Sequence, residues 1–122
     1  MSATILPMED PADALIGAQN ELVLTSVLRG YERKYFFDVP EIDVLEVTDR
    51  GQGSACFVPS ENRILIHPSV ASYEKICRVL ILHELIHSKL YKQYNDPDAE
   101  EGLRFQAEVK RLWNQGAYGR LL

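Results

Sequence analysis

Val79-Leu80-Ile81-Leu82-His83-Glu84-Leu85-Ile86-His87 is an apolar run of helical character that carries the pattern His-Glu-x-x-His. A helix turns by about 100° per residue, so side chains four apart stand one above the other on the same face. His83 and His87 can therefore ligate a single cation, and the spacing predicts a zinc site. Glu84 is displaced one step round the helix, beside such a cation rather than on it, where its carboxylate can take a proton from water. An ordinary amphipathic helix holding two histidines by coincidence would show the same spacing, but its charges would be spread more evenly. Here Glu74, Lys75, Arg78, Lys89 and Lys92 lie toward the two ends, and positions 79–87 are apolar apart from the motif. Following the helical period, Ile76, Leu80, His83, His87, Leu90 or Tyr91 and Tyr94 form one stripe, which is expected to face the interior. Unpaired imidazoles would be costly to bury there, whereas a metal satisfies them.

Working outward, Ser69 and Ser72 are candidate N-caps for a motif helix running from about residue 73 to 91 or 94. Before it, Arg63-Ile64-Leu65-Ile66-His67 reads as a strand closed by Pro68, because the residue before proline is held extended. Two more strands precede it, one within residues 42–49 and one over residues 55–58, with Arg50-Gly51-Gln52-Gly53 and Ser60-Glu61-Asn62 as turns. The spacing predicts a three-stranded antiparallel meander. Asp10-Pro11 begins an N-terminal helix in which Leu15, Leu22, Val23, Val27 and Tyr31 recur at helical spacing, ending near Gly30 or Tyr35. On the other side, Asn95-Asp96-Pro97-Asp98 stops the motif helix and starts a last helix carrying Leu103, Phe105, Ala107, Leu112 and Trp113, which ends near Gly116.

At 122 residues the chain is long enough for one domain, residues 1–122, with its own core. A hydrophobic content of 46% with 25% charged residues is that of a soluble globular protein. The net charge of −5 and pI near 5.1, without a long basic run, argue against a strong electrostatic grip on nucleic acid. Two cysteines, Cys56 and Cys77, are too few for a disulfide framework, and they are expected as buried thiols in a reducing, cytoplasmic setting. No basic start followed by an apolar core opens the chain, and no apolar run reaches the length of a membrane span.

A hydrolytic zinc site takes three protein ligands and leaves a fourth position for water. A metzincin arrangement would require glycine at position 90 and histidine at 93, where the chain has Leu90 and Gln93, so that class is excluded. The remaining histidine, His67, stands before Pro68 and is expected to be structural or to face substrate. Carboxylates of the last helix, Glu100, Glu101 and Glu108, are the other candidates for the third ligand, although acidic residues also favour a first helical turn for its dipole alone.

His83-Glu84-Leu85-Ile86-His87, followed after a polar loop by Glu101-Gly102-Leu103-Arg104-Phe105, resembles the SprT-like zinc metalloproteases, whose pattern is His-Glu-x-x-His and then His-Gly-x-x-Phe. The likeness covers residues 63–113. It implies a zincin-like α+β fold, Zn²⁺ as cofactor and a peptide or protein substrate. It places Glu101 where the family has its third histidine, a departure that zinc chemistry tolerates because two histidines and a glutamate also form a hydrolytic site. Glu108 stands further along, as the glutamate ligand does in gluzincins. Gly102 and Phe105 favour Glu101, with Glu100 third. The family's trailing zinc ribbon is missing for want of cysteines, which removes support for a DNA-associated role.

The sequence thus predicts an N-terminal helix and a three-stranded, mainly antiparallel sheet packed on the motif helix, with the C-terminal helix supplying the third ligand. The expected activity is zinc-dependent peptide hydrolysis, His83, His87 and Glu101 holding the metal and Glu84 acting as general base. Residues 63–66, as the last strand of a meander, would be an exposed edge for substrate, the alternative being a central, fully paired strand. Tyr91, Tyr94 and His67 are the candidates for stabilising an oxyanion. The competing reading is a non-catalytic zinc-binding or partner-binding module that keeps the same fold.

Overall fold

The computed structural model describes residues 11–96, 102–119 and 121. Among them are three helices and a three-stranded sheet, an α+β arrangement: α1 (Pro11–Tyr35), β1 (Val44–Val47), β2 (Ala55–Val58), β3 (Arg63–Ile66), α2 (Glu74–Tyr94) and α3 (Leu103–Asn114). A 3-10 turn, Pro59–Glu61, joins β2 to β3, and Asn62 ends it in the left-handed region at φ 49°. Asparagine tolerates that conformation better than most residues.

The sheet is mixed and its order is β1-β3-β2, which corrects the expected meander. β3 pairs parallel to β1 and antiparallel to β2. It is therefore the central strand, and the expectation of an exposed edge at residues 63–66 is overturned. The physical reason lies in its side chains. Ile64 and Ile66 enter the main core, while Leu65 points to the opposite face and is buried there too. A strand apolar on both faces belongs inside a sheet, not at its margin. The loop after β1 covers Leu65: a Cβ added at Gly51 would stand 2.9 Å from the Cys56 sulfur and 3.0 Å from Leu65 Cδ1, so that position admits only glycine without a shift.

α1 packs on β1, α2 on β2, and the two helices pack on each other, with α3 against α2. The buried apolar positions of α1 are Leu24, Val27, Leu28 and Tyr35, with Tyr31 half-buried. Leu15, Leu22 and Val23, which the spacing had placed with them, are exposed. α1 carries apolar residues on more than one face, and period alone does not say which face meets the sheet.

The loop between α1 and β1 is held by side chains from two helices. Glu32, buried, accepts hydrogen bonds from the Ile42 amide at 2.7 Å and from Arg29 Nη1 at 2.7 Å. Lys92 Nζ, from α2, donates to the carbonyl of Pro40 at 2.6 Å. On the outer edge of β1, the Val47 amide donates to Glu21 Oε1 at 2.9 Å, so a helix side chain already occupies that edge.

Candidate metal centre

α2 begins at Glu74 without a side-chain cap: Tyr73 occupies the N-cap position, and neither Ser69 nor Ser72 fills the role expected of it. The turn at residues 67–73 does this work through its backbone, the Tyr73 amide bonding to Val70 O and the Cys77 amide to Tyr73 O. Ser69 is engaged elsewhere, its amide donating to His67 Nδ1 at 3.0 Å with the hydroxyl 2.8 Å from the same nitrogen. His67 is thereby built into its own turn. Cys77 is buried and Cys56 half-buried, both as free thiols. At its other end α2 closes on Asn95, left-handed at φ 55°, whose amide reaches the carbonyls of Leu90 and Tyr91.

The interior face of α2 is not the one expected. Cys77, Ile81, Glu84, Leu85 and Ser88 are buried, whereas Ile76 and Tyr94 are about half exposed, at 50% and 51%, and Leu80, His83 and His87 are half-buried. The histidines thus lie on the open row of an otherwise enclosed helix. This corrects the inward placement of that stripe and leaves the imidazoles approachable. Leu90 and Tyr91, one turn beyond His87, divide between the two environments, Leu90 buried and Tyr91 half-buried.

His83 Nε2 and His87 Nε2 converge to 3.2 Å. As a hydrogen bond this requires one ring to donate and the other to accept; with a cation between them both nitrogens are acceptors. Two nitrogens each bound to a tetrahedral zinc at its usual bond length stand roughly 3.3 Å apart, so the observed separation fits a shared ion. Phe105 of α3 covers the pair, its ring centroid 4.9 Å from His83 and 5.0 Å from His87. The aromatic ring limits the rotamers open to both imidazoles and shields one side of them from water. Phe105 was expected as an apolar residue of the last helix and in the Gly102-x-x-Phe105 spacing; its contact with the histidines was not, and a large aromatic residue at the start of a helix that follows them was the available signal.

The start of α3 is set against the end of α2 by Arg104, whose guanidinium carbon lies 4.2 Å from the Tyr94 ring centroid and whose Nη1 is 3.8 Å from Asp96 Oδ2. Gly102 is the N-cap of α3. The expected third ligand, Glu101, and its neighbour Glu100 lie outside the described residues. Glu108 is within them, and its carboxylate is committed elsewhere. Oε1 lies 2.9 Å from Lys89 Nζ and 2.8 Å from Arg111 Nη2. Burial pushes the Glu108 carboxyl up, but the hydrogen bonds from Arg111 and Lys89 outweigh it and hold the group below the usual carboxylate range. Among the described residues no three histidine, cysteine, aspartate or glutamate side chains gather as a metal-binding group.

Glu84 is buried at 6% exposure on the row next to the histidines, between their open face and the core. The Tyr91 ring tilts against Phe57 of β2 with centroids 6.0 Å apart, and Tyr94 is taken by Arg104, so two of the three expected oxyanion candidates have packing roles, and the third, His67, is held in its own turn. A larger hollow of about 610 Å³ between α1 and β1 includes Asn20, Glu21, Thr48 and Asp49 but neither histidine. It lacks the converging nitrogen donors of the α2 site.

Compared with models of known families, with curated proteins and with solved structures, the chain matches none.

Proposed function

We propose that the chain is a zincin-like, SprT-like metallopeptidase that hydrolyses peptide bonds at the open row of α2. The observation that carries this reading is the approach of His83 Nε2 to within 3.2 Å of His87 Nε2 under the ring of Phe105, with Glu84 one residue on. When bound, Zn²⁺ supplies Lewis acidity and lowers the pKa of water toward neutrality. His83 and His87 hold it as neutral imidazoles, and Glu101 completes the protein donors. Phe105, which lies over both rings, follows Glu101 by four residues in the sequence, which favours Glu101 over Glu108 for the third position. Glu84 accepts the proton of the attacking water and returns it to the leaving amine.

The substrate strand has a different place from the one expected. With β3 central and the β1 edge taken by Glu21, β2 is the remaining edge, and α2 packs on it near Phe57 and Tyr91. A peptide added to β2 by main-chain hydrogen bonds would lie alongside the motif helix.

The test is hydrolysis of an unstructured protein substrate by the zinc-supplemented chain and by Glu84→Gln. A general base contributes about 10²–10⁴-fold, so the variant should lose activity by that factor while keeping its metal content and thermal transition. Equal activity in both proteins would remove Glu84 from the mechanism. No hydrolysis by either, with zinc bound, would favour the non-catalytic binding module.

A further inference from the structure

The open row of α2 continues beyond the histidines toward the N-terminus of the helix, and what it presents there is apolar. Ile76 is exposed at 50%, Val79 and Leu80 are half-buried, and with Lys75 and Leu121 they line a hollow of about 260 Å³. Val79 and Leu80 stand four and three residues before His83, so helical geometry puts the near side of the hollow one turn of about 5.4 Å below that imidazole, with Lys75 and Ile76 a turn further on. The rest of α2 spends its aliphatic side chains on the core. Here Ile76 and Leu80 stay accessible beside the nitrogen donors. The hollow is smaller than the roughly 300–1,000 Å³ of clefts that enclose whole small molecules, and its size suits one side chain.

We infer that this hollow is a specificity subsite for a single apolar side chain of the substrate, of the size of leucine, methionine or phenylalanine, adjacent to the bond that is cut. The inference rests on the peptidase reading above and adds to it the class of residue selected. A peptide lying along α2 with its carbonyl at His83 and His87 has its neighbouring side chain within one helical turn, at Val79 and Leu80, and a long side chain extends from there toward Ile76, a turn further along the same row. Desolvating those three residues supplies the selectivity. Lys75, at the rim, would disfavour a cationic residue in the same position.

Two readouts separate failure of this inference from failure of the peptidase reading. In the first, a mixed peptide library is digested by the zinc-supplemented chain and the residues flanking each cut are identified by mass spectrometry. Leucine, methionine and phenylalanine should be enriched at one flanking position. For a peptide pair differing there as leucine against glycine, kcat/KM should differ by about 10–100-fold, the range a small apolar pocket delivers. Ile76→Glu, a change at a half-exposed position, should reduce that ratio about tenfold and bring in lysine at the same site. Cleavage without an apolar preference, or a preference that Ile76→Glu leaves intact, overturns the subsite and leaves the peptidase reading standing. In the second, the same peptide pair is titrated into zinc-loaded Glu84→Gln protein and the methyl signals of Ile76, Val79 and Leu80 are followed by NMR. The leucine peptide should shift them and the glycine peptide should not. Absence of any shift overturns the subsite whether or not the chain hydrolyses peptides, while a selective shift in a chain that cuts nothing supports the subsite and removes only the hydrolysis.

Discussion

The two faces of α2 are built from similar residues and meet different fates. One face, Cys77, Ile81, Leu85 and their neighbours, is closed by α1 and the sheet. The other, Ile76, Leu80, His83, His87 and Tyr94, is covered only in part, by Phe105 and Leu121. Both faces are rich in isoleucine and leucine, so hydrophobicity does not tell them apart. What differs is that the open face carries the nitrogen donors, His83 and His87, and the closed face carries none. On the proposed function, the closed face serves stability and the open one binding.

The largest expected effect breaks the closed face. Ile81 is fully buried, and Ile81→Ala should cost about 2–5 kcal/mol of unfolding free energy in urea titration. A loss under 1 kcal/mol would mean that this face is not core. Next is the joint between α2 and α3. Because Lys89 and Arg111 hold the folded-state pKa of Glu108 below its ordinary value, its contribution is present above the unfolded carboxylate pKa and is lost as pH falls through the folded one. Glu108→Gln should therefore lower stability at neutral pH, by roughly 1–3 kcal/mol, and make stability fall less steeply below the ordinary carboxylate range near pH 4.3. An unchanged acid limb would show that the Lys89 and Arg111 pairing does not operate in solution. The smallest effect is on the open face, where Ile76→Ala should change stability by no more than about 0.5 kcal/mol. A core-sized loss there would contradict the division between the faces.

Much of this arrangement was legible in the residues. The start of α1, the residues of β2 and β3 and the start of α2 followed from proline, glycine and asparagine punctuation together with apolar runs, while the far ends of the two helices, each left between two positions, fall at the later one, Tyr35 and Tyr94. Sheet order was not, because three short strands separated by turns suit a meander as well as the observed β1-β3-β2 order, and neighbours in sequence are the simplest pairing. The Ile64-Leu65-Ile66 run did hold the signal: with no polar residue alternating, it marks a strand buried on both faces. The histidine row was recognised as a row but assigned the wrong side, since the 3.6 period of α2 identifies faces without saying which one the sheet and α1 will take. The pairing of Glu108 became visible only once Lys89, in the turn after His87, and Arg111, one turn further along α3, were seen to meet on its carboxylate.

The central claim is that His83 and His87 share one zinc ion. Purified chain, stripped with chelator and titrated with Zn²⁺, should bind one equivalent by calorimetry, and the same amount should be retained after dialysis and found by elemental analysis. His83→Ala and His87→Ala should each abolish that stoichiometric binding, while Ile76→Ala should leave it intact. Stoichiometric zinc retained by either histidine variant, or none bound by the parent chain, would contradict the account.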